Sequence, residues 1–178
     1  MSSSNKINSQ DIKIERLRQN HDLSSFKSYE RELMKFLHED ALDNQQKQIS
    51  VTYLWFLKSE LVGYITLLND RINVEGGLKN KFKTKGISYS SLPALKVGRL
   101  CVDDKFLRKG LGTLMIDFSI KVGFNIYNTC SGCRFIVLDA KRSKDNDPIH
   151  FYTKLGFQVL KERIKGTTPM YFDLIQLH

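Results

Sequence analysis

Val97-Gly98-Arg99-Leu100-Cys101-Val102-Asp103-Asp104-Lys105-Phe106-Leu107-Arg108-Lys109-Gly110-Leu111-Gly112-Thr113-Leu114-Met115 reads as an apolar strand, a short charged turn, a basic glycine-spaced loop and the start of an amphipathic helix. That order builds an anion site from backbone. Successive N–H groups of the loop, and the first N–H groups of the helix that have no intrahelical acceptor, converge on one place. Gly110 and Gly112 let the main chain come close to a ligand with no Cβ in the way. Arg108 and Lys109 add formal charge beside the positive end of the helix dipole. A pyrophosphate is the ligand such a site suits.

The position of the glycines carries more than their pattern. Leu111, Leu114, Met115, Phe118 and Val122 fall at i, i+3, i+4, i+7 and i+11, the apolar stripe of a helix. Two other nucleotide motifs fit badly. A P-loop requires a Gly-Lys-Ser/Thr ending, and none follows here. A dinucleotide fingerprint requires a third glycine and an acidic residue roughly 20 positions on. The third glycine is missing, and the later region reads Asn128-Thr129-Cys130-Ser131-Gly132.

Composition narrows the class. A chain of 178 residues with 41% apolar content predicts one soluble globular domain over 11–178. Residues 1–10 are Ser/Asn-rich, lack a signal-peptide core and read as a disordered tail. No apolar run is long enough to span a membrane, and a cytoplasmic location is expected. The net charge of +9 suits a multiply anionic partner, either a phosphorylated cofactor or a nucleic acid, as well as a merely solubilising surface. Of three cysteines, Cys130 and Cys133 form a lone Cys-x-x-Cys and Cys101 lies on the strand before the loop. Structural zinc needs four ligands, and no second pair exists, so no metal is expected.

Outward from the loop, Ile12 to Leu17 alternates like an edge strand. Asp22 or Ser24 reads as the cap of a helix to about Ala41, its apolar face Phe26, Tyr29, Leu33, Phe36 and Leu37. Val51–Leu57 and Leu61–Leu68 are strands joined by a tight turn at Lys58-Ser59-Glu60. Asn69 to Leu92, with Arg71, Lys79, Lys81, Lys83 and Lys85, reads as a long loop. Strand Pro93–Val102, the glycine loop and a helix to about Asn125 follow. Then come strand Phe135–Ala140, a helix from about Pro148 to Leu155 with proline in its first turn, and strands Phe157–Leu160 and Met170–Leu177. The order predicts a mixed sheet with helices on both faces, an α/β (mixed α+β) class, not a doubly wound parallel sheet.

Two motifs on this frame resemble the GNAT family of acetyl-CoA-dependent N-acetyltransferases. Arg108-Lys109-Gly110-Leu111-Gly112-Thr113 is similar to the family's pyrophosphate loop. Phe151-Tyr152-Thr153-Lys154-Leu155-Gly156-Phe157 is similar to its Phe-Tyr-x-x-Leu-Gly-Phe. The element order matches over 12–177. The resemblance implies a splayed central sheet of about six to seven strands and a single N-acetyltransferase domain. It implies that backbone of Leu100, Cys101 and Val102 binds the pantetheine arm, that residues 108–113 hold the pyrophosphate, and that acetyl-CoA is the acyl donor. Tyr152 becomes the general acid that protonates the leaving thiolate in a direct transfer to a primary amine. A phenol of pKa about 10 suits a departing alkyl thiolate. Three positions depart from the pattern. Leu107 stands where the family has Gln or Arg, with Arg108 one residue later. Pro148 replaces a common Ala. Asp145 holds the place of a common Asn, with Asn146 displaced by one and carried as a cofactor-binding candidate.

Leu37 to Gln45, Ser50-Val51-Thr52-Tyr53 and Gly98-Arg99-Leu100-Cys101-Val102-Asp103 are similar to a narrower group, the GNAT enzymes of toxin–antitoxin systems. That resemblance implies the amine of aminoacyl-tRNA as acceptor, with residues 79–85, Lys96 and Arg99 on tRNA phosphates. Expected partners are acetyl-CoA and an amine acceptor, with tRNA, a separate antitoxin protein and a second copy of the chain as candidates, and no membrane. The strand at 93–102 carries no carboxylate to act as base. His38, Glu39 and Asp40 are the alternatives, or a solvated helix face. An aminoacyl ester amine is substantially neutral near pH 7 and scarcely needs a base, unlike a lysine of pKa about 10.4. The competing readings are a small-molecule or protein amine acetyltransferase, and a non-catalytic module binding CoA or nucleic acid.

Overall fold

The computed structural model describes residues 6–141, 148–162 and 166–177. In chain order the elements are β1 (Ile12–Arg16), α1 (Arg31–Lys35), a π-helical turn (Phe36–Asp40), α2 (Ala41–Gln46), β2 (Val51–Leu57), β3 (Glu60–Asn73), α3 (Gly76–Lys83), β4 (Ser91–Val102), α4 (Leu111–Thr129), β5 (Phe135–Lys141), α5 (Pro148–Lys154), β6 (Gln158–Val159) and β7 (Thr167–Asp173). Among the described residues the strands form a seven-stranded sheet in the order β1-β2-β3-β4-β5-β7-β6. The pairs β1/β2, β2/β3, β5/β7 and β6/β7 are antiparallel. The step from β4 to its neighbour β5 passes through α4, the kind of crossover that parallel neighbours require. The chain divides into two compact units, 1–68 with 97–118 and 69–96 with 119–178.

In the first unit, β2 and β3 form a hairpin through Lys58, whose φ is +58°. The register slips between Trp55 and Phe56, so that Trp55 pairs with Gly63 and Phe56 with Leu61, leaving Val62 as a bulge. The extra residue changes the side-chain parity of β3. Leu61 and Tyr64, three apart, therefore enter one cluster with Leu54, Phe36, Leu37 and Ala41. On β2 the alternate residues Tyr53 and Trp55 meet Phe118 of α4 edge-on, with centroids at 5.0 and 5.7 Å. Helices thus cover both faces of this part of the sheet.

Three expectations change. The helix expected from Asp22 or Ser24 starts only at Arg31 and runs on to Gln46. Asp22 Oδ1 accepts from the Ser24 N–H in a local turn. Phe26, 1% exposed, plugs the core from a loop, and Tyr29 is an exposed loop residue. The region 69–92 is not one loop. β3 continues to Asn73, and α3 docks through Phe82, which is fully buried and meets the Phe135 ring edge-on at 5.7 Å. Leu78 and Phe82, four apart, were the helical signal beneath the lysines. The last strand ends at Asp173 in a 3-10 turn, Leu174–Leu177. Residues 6–8 lead into another 3-10 turn, Ser9–Asp11, just before β1.

Candidate functional site

The end of β4 is locked into the first unit. Cys101 is buried, and burial pushes its thiol up to about 11, so it stays protonated at neutral pH. Leu100 and Val102 are half-buried. The Asp103 N–H donates to the Val62 carbonyl at 2.9 Å, the oxygen of the bulge residue. A Cβ on Gly63 would collide with the Met115 side chain and lie 2.8 Å from the Cys101 carbonyl oxygen. Gly63 is thus what lets β3, β4 and α4 come this close.

Asp103 is 2% exposed and did not figure among the sequence candidates. Its Oδ2 accepts from the Lys27 N–H at 2.8 Å, and its Oδ1 accepts from the Lys105 N–H at 3.0 Å. The next carboxylate, Asp104, accepts from the Tyr29 N–H at 3.2 Å. Two adjacent acids therefore tie the turn after β4 to a loop some 75 residues away in sequence. A buried carboxylate with two backbone donors is satisfied and rigid. It fixes where the following loop begins.

That loop holds two residues with left-handed φ: Arg108 at +61° and Gly110 at +88°. The first costs about 1–2 kcal/mol for a residue with a Cβ, and such strain persists only where surrounding bonds over-determine it. The Gly110 carbonyl accepts from the Leu114 N–H at 3.2 Å, which makes Gly110 the residue that caps α4. The N–H groups of Leu111, Gly112 and Thr113 then have no intrahelical acceptor. The Leu111 side chain is in the core, so only its backbone faces outward duty. The first turn of α4 holds no acid to compete with an anion. Arg108 is exposed, and Lys109 Nζ sits 4.8 Å over the Phe106 ring, a cation–π contact that keeps its charge on the loop. The donor set fits a diphosphate.

In the second unit Tyr152 sits on α5, two turns of helix that end in a Schellman motif. The Phe157 N–H donates to the Tyr152 carbonyl at 3.1 Å, and the Gly156 N–H donates to the Thr153 carbonyl at 3.0 Å. Gly156 is the left-handed residue, at φ +90°. The motif's characteristic apolar contact is Tyr152 with Phe157, ring centroids 5.7 Å apart. Phe-Tyr-x-x-Leu-Gly-Phe is therefore a helix stop that also aims a tyrosine. Desolvation pushes the Tyr152 phenol up to about 12. A Cβ on Gly156 would come within 3.1 Å of the Phe172 ring. Gly156→Ala should lower unfolding stability by about 1–2 kcal/mol through the left-handed backbone alone. Urea denaturation at constant m-value measures this.

The remaining candidates have separate local settings. Asn146 lies outside the described residues. His38, Glu39 and Asp40 are exposed on the π-helical turn, and Glu39 faces Lys35 at 3.7 Å. Lys96, expected near tRNA phosphates, is committed elsewhere: its Nζ lies 2.7 Å from Asp139 and 3.6 Å from Asp70. Arg99 is exposed with its guanidinium 5.0 Å over the Phe36 ring. Lys79, Lys81, Lys83 and Lys85 are all exposed, on or just after α3. The thiols of Cys130 and Cys133 are free, one exposed and one buried. Among the described residues no group of His, Cys, Asp and Glu is placed to hold a metal ion. Nor, among them, is any helix long and apolar enough to cross a membrane.

The family model described as Acetyltransferase (GNAT) family matches residues 14–157. No curated protein sequence matches the chain. Among solved structures, a Tyr→Phe variant of KacT superposes with a TM-score of 0.79 at 24% identity, over 95% of this chain and 100% of that one. AtaT complexed with acetyl-methionyl-tRNAfMet gives 0.78 at 22% identity, over 94% and 97%. A Tyr→Phe variant of AtaT bound to the C-terminus of the antitoxin AtaR and acetyl-CoA gives 0.72 at 20% identity, over 94% and 96%. At these identities the likeness is one of fold.

Proposed function

The chain belongs to the acetyltransferase (GNAT) family, and from that premise we propose that it transfers the acetyl group of acetyl-CoA to the free amine of an aminoacyl-tRNA. The observation that carries the donor half is the loop opening α4, with left-handed φ at Arg108 and Gly110 and no acid in the first helical turn. In this reading backbone N–H groups across Arg108, Lys109, Gly110, Leu111, Gly112 and Thr113 take the pyrophosphate. Backbone groups of Leu100, Cys101 and Val102 hold the pantetheine arm as a further strand would, and Asn146 adds a polar contact. Bound acetyl-CoA supplies a thioester carbonyl open to attack by an amine. The amine nitrogen bonds to that carbon as the C–S bond breaks, Tyr152 gives its phenolic proton to the departing sulfur, and the proton that the nitrogen sheds passes to water, from which the phenol is restored. A Cys101 thiol held near 11 is no competing nucleophile, which favours direct transfer over an acyl-enzyme.

Three features support the acceptor. The exposed lysines of α3 and its C-terminal turn present positive charge suited to a phosphate backbone. β4 carries no carboxylate, and an aminoacyl ester amine needs little help to lose its proton. AtaT, which shares the fold, is seen with acetyl-methionyl-tRNAfMet. A separate antitoxin protein is the partner this reading adds, since AtaT is also seen bound to the C-terminus of AtaR. The test offers radiolabelled acetyl-CoA with charged tRNA, uncharged tRNA and a lysine peptide in parallel. Label is expected on charged tRNA alone. Turnover on the peptide or on small amines, with none on charged tRNA, overturns the acceptor and leaves the donor site standing.

A further inference from the structure

The segment before β1 touches the phosphate loop. The Ile7 N–H donates to the Lys109 carbonyl at 3.1 Å. Lys109 sits between the two left-handed residues of that loop, Arg108 and Gly110. The strap is itself anchored. Asn8 Oδ1 accepts from the Gln10 N–H at 3.1 Å, and the Asn8 carbonyl accepts from the Asp11 N–H at 3.1 Å. The resulting 3-10 turn, Ser9–Asp11, hands the chain directly to β1, where Ile12 pairs with Leu57 of β2. One end of the strap is thus fixed by the sheet, and the other is hydrogen-bonded to the loop.

A trans peptide is planar, and its C=O and N–H point to opposite sides. Holding the Lys109 carbonyl toward the strap therefore commits the Gly110 N–H to the side away from it. Without the bond, the 109–110 peptide can flip and place a carbonyl oxygen where a donor is needed, an inversion through ψ of Lys109 and φ of Gly110 that is cheap because Gly110 has no Cβ. We propose that residues 6–8 are a positioning strap for the phosphate cradle, with the Ile7 N–H setting the 109–110 peptide so that the Gly110 N–H serves the pyrophosphate. This rests on the acetyl-CoA reading above. Ile7 touches no substrate in this scheme and acts through the loop.

The test compares acetyl-CoA with acetyl-pantetheine, a donor that carries the thioester but lacks the pyrophosphate. Ile7→Pro removes the donor N–H, Ile7→Ala keeps it, and removal of residues 2–8 deletes the strap. For Ile7→Pro and for the truncation, kcat/KM with acetyl-CoA should fall by about tenfold, mostly through KM, as expected for one lost preorganised donor. Their kcat/KM with acetyl-pantetheine should stay at the wild-type value, and Ile7→Ala should keep the preference for acetyl-CoA. Equal losses with both donors would show general damage to the fold and overturn the proposal, as would an undiminished preference for acetyl-CoA in both strap variants. A wild-type protein that shows no preference for acetyl-CoA at all would instead overturn the pyrophosphate reading on which the strap depends.

Discussion

Gly110→Glu should raise the acetyl-CoA dissociation constant by about 100-fold or more, the sum of two costs of roughly 1–2 kcal/mol or greater. The first is conformational. Gly110 has φ +88°, and a residue with a Cβ holds that conformation poorly. The second is Coulombic. A carboxylate would sit at the cap of α4, beside the N–H groups assigned to a pyrophosphate, where like charges meet in a partly desolvated place. Gly110→Ala separates the two. A Cβ there would meet nothing within 4 Å, so alanine carries the backbone cost and no steric or charge cost. Because the free loop of a variant can relax out of the left-handed conformation that the bound form requires, isothermal titration should give up to about a tenfold loss for alanine and the larger loss for glutamate. Equal affinity for wild type and Gly110→Glu would remove the anion site from this loop.

Tyr152→Phe should lower kcat by about 100-fold or more while leaving acetyl-CoA affinity within about threefold, the range expected for loss of a general acid. The swap keeps the ring and therefore its contacts with Phe151 and Phe157 at 5.0 and 5.7 Å. Stability should move little, so the effect is chemical. The pH profile carries the sign. The phenol is pushed up to about 12 by desolvation, so the proton-donating form is the neutral one and persists through neutral and mildly basic pH. The wild-type rate should show no fall from loss of this acid below about pH 10, the unperturbed phenol value. A basic limb centred near neutrality that vanishes in Tyr152→Phe would mean that the tyrosine titrates in a different environment. A variant with undiminished kcat would remove it from the chemistry.

Legibility followed the range of the interactions. The start of α4 at Leu111 was readable because glycine spacing and the i, i+3, i+4 stripe are properties of neighbouring residues. The end of α5 was readable for the same reason: Tyr152, Gly156 and Phe157 are the C3, C′ and C″ positions of one local motif. The stretch from Asp22 or Ser24 to Glu30 reads as helix because its apolar spacing resembles an amphipathic face, but it is a loop. The donors of Lys27 and Tyr29 are instead taken by Asp103 and Asp104. Helix α3 was hidden by its lysines, since the burial of Phe82 that holds it depends on a cluster with Phe135 and Tyr171.

The sequence by itself determined the strand–loop–helix order around Gly110 and the helix stop that carries Tyr152, because each rests on φ preferences and spacings between near neighbours, and those motifs carried the resemblance to the family. Tertiary structure alone decided that Asp103 is a buried clamp, that Lys96 is paired with Asp139 and Asp70 instead of free for phosphate, and that Ile7 reaches Lys109. The reason is that a hydrogen-bond or ion-pair partner is chosen by proximity after folding, and side-chain type records only that a partner is needed.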